Sequence, residues 1–125
     1  HIEVPPVEFR ELAGIEKGES SAAIKKRVEA ARYIQQERFK NTGIHANANI
    51  PAAILADVCQ MTKPAQKILE KAFEQFSFSG RTYDRVLKVA RTIADLDGST
   101  QIDVPHVAEA VQYRTLDRKY WLNEL

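Results

Sequence analysis

A chain of 125 residues with 44% hydrophobic side chains is one domain's worth of sequence and can bury a real core. Eighteen Lys and Arg against seventeen Asp and Glu leave a net charge of +1, which argues against a free-standing nucleic-acid binder, since those carry a stronger basic bias. The single cysteine, Cys59, excludes an internal disulfide and suits a reducing, cytoplasmic setting; no apolar run approaches the roughly 18 residues of a membrane span, and nothing at the start reads as a signal peptide.

The opening His1-Ile2-Glu3-Val4 alternates like a strand until Pro5 and Pro6 stop it. No other segment reads convincingly as β, so this is expected to be the last strand of a sheet lying outside the chain. Residues 7–12 suit a short helical turn, and Gly14 and Gly18 bracket a loop. A first long helix is expected from Ser21 to about Lys40, capped by Ser20 or Ser21, with Ile24, Val28, Ala31 and Ile34 as its apolar stripe. Arg27, Arg32, Glu37 and Arg38 fall mostly elsewhere on it. Asn41-Thr42-Gly43 ends it, and Ile44 to Ile50 form a connector without a clear pattern.

Pro51 suits the first position of a short helix running to about Gln60. Thr62 caps the next helix, with Lys63 and Pro64 in its first turn and Ile68, Leu69, Ala72, Phe73 and Phe76 as its core face through Phe76. The segment from Ser79 to Gly98 follows, marked by a good N-cap and a good terminal glycine. Ser99 to Ile102 then cross to Asp103, which caps a last helix with Pro105 in its first turn, Val107, Ala110 and Val111 inside, and an extent reaching Tyr113 and Tyr120. The expected fold is all-α: a bundle of about five helices with a short extended N-terminal segment.

The Ser79 helix carries the most information. At about 100° per residue, Tyr83, Val86, Ala90, Ile93 and Ala94 share one apolar arc with Leu87 at its edge. Arg81, Arg85 and Lys88 lie opposite, within roughly 60° of each other. Two of these cations occupy the first turns, where the helix dipole is positive and a cation is least welcome. Two readings stay open on spacing alone. The stripe is a solvated face, with Asp84 pairing to Arg81 and Lys88 at helical spacing, or it is a site where an anion arrives.

Other chemistry is sparse. No phosphate loop of the Gly-x-x-x-x-Gly-Lys type occurs and no Gly-x-Gly-x-x-Gly. Cys59 has apolar flanks and reads as a buried thiol rather than a nucleophile. His1, His45 and His106 never pair at helical spacing, so no metal site is expected, and His106 is expected to be exposed. The carboxylates form no acid/base pair. Met61 reads as a gap filler, and Tyr113, Tyr120 and Trp121 as anchors of the C-terminal segment.

The string from Ser79 through Arg91-Thr92-Ile93-Ala94-Asp95-Leu96 closely resembles the C-terminal domain of magnesium-chelatase-like AAA+ ATPases of the ComM/YifB type. So do Ala108 to Arg118, with its Gln112-Tyr113-Arg114-x-Leu116-Asp117-Arg118, and the opening His1 to Pro5. The matches run in order over nearly the whole chain; Gly43 to Asn49 matches loosely. The resemblance implies an AAA+ lid subdomain at residues 19–125, with residues 1–18 as the end of the ATPase core and a linker. It implies a sensor-2 arginine reaching the γ-phosphate of ATP. Arg81 matches that motif position best and Arg85 second, with Lys88 as supporting basic face. No catalytic residue and no metal ligand is expected within the chain, which alone is not an enzyme and holds no tightly bound cofactor. ATP and Mg2+ belong to the parent ATPase.

The partners implied are the upstream core, neighbouring subunits of a hexameric ring and, for the parent, DNA; no membrane is implied, and the setting is cytoplasmic. DNA processing is the task of the ComM-like relatives; a lid of a magnesium chelatase ATPase subunit is the alternative within the family. An independent helical DNA- or protein-binding module using Arg81, Arg85, Lys88 and Arg91 is the alternative outside it.

Overall fold

A computed structural model describes the backbone of residues 20–124 and the side chains of residues 20–116. The expected strand at His1 to Val4, the segment 1–18 and the side chains of Tyr120 and Trp121 lie outside the described residues. Five α-helices follow in order: α1 (Ser21–Arg38), α2 (Ala52–Val58), α3 (Lys63–Gln75), α4 (Gly80–Leu96) and α5 (Val104–Glu124). A 3-10 turn at Asn47–Asn49 lies in the connector between α1 and α2.

The helix starts follow local cap chemistry. Ser20, Thr62 and Ser79 accept from the backbone N–H of Ala23, Ala65 and Thr82, each filling one orphan donor of a first turn. Pro51 departs from expectation: its ψ of 146° is extended, so it is the N-cap, and α2 starts one residue later and ends at Val58. At the other end of α4, Gly98 sits at φ +70°. The N–H of Ser99 donates to the Ala94 carbonyl and that of Gly98 to Asp95, the paired bonds of a Schellman ending.

α4 is the central helix, packed on α5, α1, α2 and the 3-10 turn, while α3 packs on α5. Val86, Leu87, Ala90 and Ala94 meet Val107 and Ala110 of α5 and Ala65, Leu69 and Ala72 of α3 in one core. Each large side chain buried there contributes roughly 1.5–3 kcal/mol. On α3, Phe73 is 37% exposed and meets the Tyr83 ring edge-on, with centroids 5.6 Å apart. Among the described residues the only β feature is a parallel bridge of Met61 with Ile102. Thr62 N–H donates to the Ile102 carbonyl, and Ile102 N–H to the Gln60 carbonyl. That bridge ties the start of α3 to the start of α5 and brings Ile102 fully into the core.

α1 is a different kind of element. Of its expected stripe only Ala31 is buried; Ile24 and Ile34 are half-buried and Val28 is 37% exposed. The helix is held by Ala31 and its C-cap Phe39, both buried, together with polar contacts from residues the stripe did not include.

Candidate functional site

The basic stripe starts at the Ser79 cap. Ser79 Oγ accepts from Thr82 N–H at 3.2 Å and lies 3.1 Å from the Thr82 hydroxyl, which fixes the first turn of α4. Arg81 and Arg85 rise from that turn and the next into solvent. No ion pair or hydrogen bond with a described residue holds either of them. Lys88 continues the stripe but is half-buried, and its Nζ donates to the Ala48 carbonyl of the 3-10 turn at 3.3 Å.

The surface pairing expected of Asp84 does not form among the described residues. Asp84 is half-buried on the other flank of α4, beside Tyr83, Glu70, Phe73 and Glu74, where they line an open hollow of about 470 Å³. Burial raises the Tyr83 hydroxyl above its ordinary pKa, and the Glu70 and Asp84 carboxylates add to the shift. Asp84 thus faces the acids of α3, while Lys88 reaches the 3-10 turn. Neither Arg81 nor Arg85 forms an ion pair with a described carboxylate, although the dipole at the first turn disfavours the Arg81 cation.

The same flank continues into a buried polar cluster. Asp95 has no exposed side-chain surface. Its Oδ1 accepts from Arg38 Nη2 at 2.7 Å and from Arg91 Nε at 3.1 Å; its Oδ2 accepts from Arg38 Nη1 and Asn47 Nδ2, both at 2.8 Å. Asn47 is equally occupied: its Oδ1 accepts from Arg38, its Nδ2 also donates to Thr92 Oγ1, and its N–H donates to Gln35 Oε1. Arg91 spends its terminal nitrogens on the carbonyls of Ser99 and Thr100. Burial lowers its pKa from the ordinary value, and the Asp95 charge opposes the shift. The last turn of α1, the 3-10 turn, α4 and the loop into α5 all converge on one carboxylate.

Three expectations are corrected here. Arg91 is buried, so it cannot belong to a four-cation surface with Arg81, Arg85 and Lys88. Arg38, placed away from the contact face of α1, is its principal anchor. His106 is 5% exposed rather than exposed, because its ring closes the start of α5: Nδ1 accepts from Asp103 N–H at 2.9 Å and Nε2 lies 2.9 Å from Asp97 Oδ2. A local signal for Arg91 did exist. Arg91 and Asp95 are four apart on α4 at the border of its apolar arc, the spacing of an intrahelical ion pair.

Cys59 is buried as expected, and burial pushes its thiol up to about 11, with Arg91 and Arg38 opposing that in part. A thiol held protonated is a poor nucleophile. Met61 and Tyr113 pack partly buried against the core. Among the described residues no three His, Cys, Asp or Glu side chains converge on a metal-sized site, and no helix is long and apolar enough to cross a membrane.

Comparison with known proteins assigns this architecture. The family described as magnesium chelatase, subunit ChlI C-terminal, matches residues 18–114. Competence protein ComM of Haemophilus influenzae is 40% identical over 118 residues, covering 94% of this chain and 22% of that protein. YifB of Salmonella typhimurium is 41% identical over 102 residues, 82% of this chain and 19% of that protein. A Mycobacterium bovis protein is 32% identical over 97 residues. The chain spans about a fifth of the length of the curated relatives it matches. It belongs to the magnesium chelatase C-terminal domain family, as a C-terminal domain of the ComM/YifB type.

Proposed function

We propose that residues 19–125 form the lid of an AAA+ ATPase whose core lies upstream, with residues 1–18 as the end of that core and the linker. In this reading the lid closes over ATP and Mg2+ held by the core. Arg81 meets the γ-phosphate as a sensor-2 arginine, Arg85 stands one turn behind it, and Lys88 supports the same face. The single observation that carries the reading is the state of Arg81 and Arg85. Arg81 in the first turn of α4 and Arg85 in the next make no ion pair with a described carboxylate, and Asp84, spaced to pair with Arg81, lines the hollow with Glu70 and Glu74 instead. Such cations are better explained by an arriving anion than by the helix itself.

The mechanism is electrostatic and conformational. Guanidinium groups make charge-assisted hydrogen bonds to phosphate oxygens, and loss of the γ-phosphate removes them. The lid angle then changes, and neighbouring subunits of a hexameric ring feel the rotation. We take the task of the parent motor to be DNA processing in the cytoplasm, a reading in keeping with similarity to a protein named for competence. The chain itself supplies no phosphate loop.

The test is phosphate release by the full-length parent and by the isolated chain, each against a matched blank. The parent is expected to hydrolyse ATP and the isolated chain is expected not to. Turnover by the isolated chain would contradict the lid assignment.

A further inference from the structure

The stripe and the buried cluster are joined at one residue. Lys88 lies one helical turn beyond Arg85 on the stripe, and its Nζ rests on the Ala48 carbonyl. Ala48 is the middle residue of the 3-10 turn, and the preceding Asn47 is locked to Thr92, Asp95 and Arg38. Thr92 in turn donates its hydroxyl to the Lys88 carbonyl at 3.1 Å. A hydrogen-bonded path therefore runs from the stripe through Lys88 to the turn, and from the turn through Asp95 to α1.

The contact at Lys88 is the weak point of that path. It is one hydrogen bond to a neutral carbonyl at an exposed edge, whereas every bond to Asp95 is buried or part-buried and charged. A phosphate oxygen is a stronger acceptor for an ammonium than a carbonyl is. An anion held by Arg81 and Arg85 would thus compete with Ala48 for Lys88, three residues from Arg85 on the same helix face.

We infer that Lys88 is the relay between the phosphate site and α1: it holds the 3-10 turn when the stripe is empty and leaves it for the phosphate when the stripe is filled. The Ala48 carbonyl is then free of Lys88, and the turn keeps only the bonds of Asn47 to Thr92 and Asp95 of α4 and to Arg38 of α1. Coupling of this kind is reciprocal, so loosening the turn must in return strengthen phosphate binding. The inference rests on the reading of the stripe as a phosphate site.

The experiment uses the full-length parent and two nucleotides, ADP and the slowly hydrolysed ATPγS, and reads the ratio of their dissociation constants. Lys88→Met should lower the preference for ATPγS roughly 5-fold, the low end of ordinary coupling between sites. Thr92→Val removes one bond of Asn47 at nearly constant volume and should raise the preference in the wild type while leaving it unchanged when combined with Lys88→Met. Asn47→Ala should act in the same direction, and Thr92→Val stands in for it if that variant does not fold. A purely structural role for Asn47 and Thr92 would move the melting temperature without moving the ratio.

Two results overturn the relay. One is an unchanged ratio in Lys88→Met; the other is an equal effect of Thr92→Val with and without Lys88→Met. In either case Arg81→Ala and Arg85→Ala separate the layers. If they impair hydrolysis, the phosphate site stands and only the relay falls; if they do not, both fall.

Discussion

Asp95 and Arg38, 57 positions apart in sequence, form a two-pronged ion pair with nitrogen–oxygen distances of 2.7 and 2.8 Å. The Asp95 side chain is fully buried, while the Arg38 side chain keeps 19% of its surface exposed. This pair, with Asn47 and Arg91 around it, adds a polar anchor to the buried Ala31 and Phe39 that hold α1.

Removing one member of such a cluster strands the rest. Asp95→Ala leaves Arg91 buried with no counter-charge, a loss of about 3–5 kcal/mol by analogy with other broken buried pairs. Arg38→Met should cost less, because Asp95 keeps Arg91 and Asn47 and the methionine stem still covers the site. Urea unfolding of both variants gives the comparison. A loss below about 1 kcal/mol for Asp95→Ala would be the value of a surface pair and would remove the cluster from the account.

Cys59 contributes a stabilisation that is sensitive to alkali. Its thiol is raised by burial from 9.0 to about 11, so the folded state prefers the protonated form. The stabilisation is complete below the unfolded value and is lost as pH rises from about 9 through 11, where the unfolded chain ionises first. Other groups titrate in the same range, so the informative quantity is the difference between wild type and Cys59→Ala. Urea midpoints of the two should converge or cross as pH rises from 8 to 11. A pH-independent difference would show that the thiol does not ionise differently in the two states.

Asp103 contributes to stability in an acid-sensitive way. Its carboxylate accepts from Val104 N–H at 2.8 Å and from the Thr62 hydroxyl at 2.9 Å, so one group ties the start of α5 to the cap of α3. Those bonds, the backbone one first, hold its pKa below the ordinary 3.8. A depressed carboxyl stabilises above its unfolded pKa and loses that contribution as pH falls through the folded one. Wild type should therefore exceed Asp103→Asn in urea midpoint at pH 7, and the gap should close below about pH 4. A gap that stays constant into strong acid would place the effect in shape rather than charge.

The parts of this fold that are legible in sequence are those decided locally. Ser20, Thr62 and Ser79 announce helix starts because a cap bond spans three residues, and Gly98 announces an end because the backbone there needs a positive φ. The inner face of α4 is legible because helical period alone sorts Val86, Ala90, Ile93 and Ala94 from Arg81 and Arg85. What stays hidden depends on distant partners. Asn47 is an ordinary connector residue until Asp95, 48 positions on, turns it into a buried bridge. Arg38 and Lys88 likewise acquire their roles from α4 and from the 3-10 turn, which periodicity on one helix cannot show. His106 is the local exception: its ring accepts the N–H of Asp103 only three residues back, the reach of a capping box, but with His in place of the Glu or Gln that announces one.

The central claim is that the exposed arginines at the start of α4 serve a phosphate. Arg81→Ala, Arg85→Ala and Lys88→Ala in the full-length parent, compared for ATP hydrolysis and melting temperature, test it most directly. Arg81 lies on the exposed face, so its loss opens no cavity and the melting temperature should hold. An arginine that stabilises transition-state charge contributes on the order of 10³ in rate, and a lid arginine acting partly through binding contributes less. The expected result is a large loss of hydrolysis for Arg81→Ala and a smaller one for Lys88→Ala. A loss confined to Arg85→Ala would move the sensor one turn along the helix. Full activity in all three would make the stripe a solvated face and contradict the account.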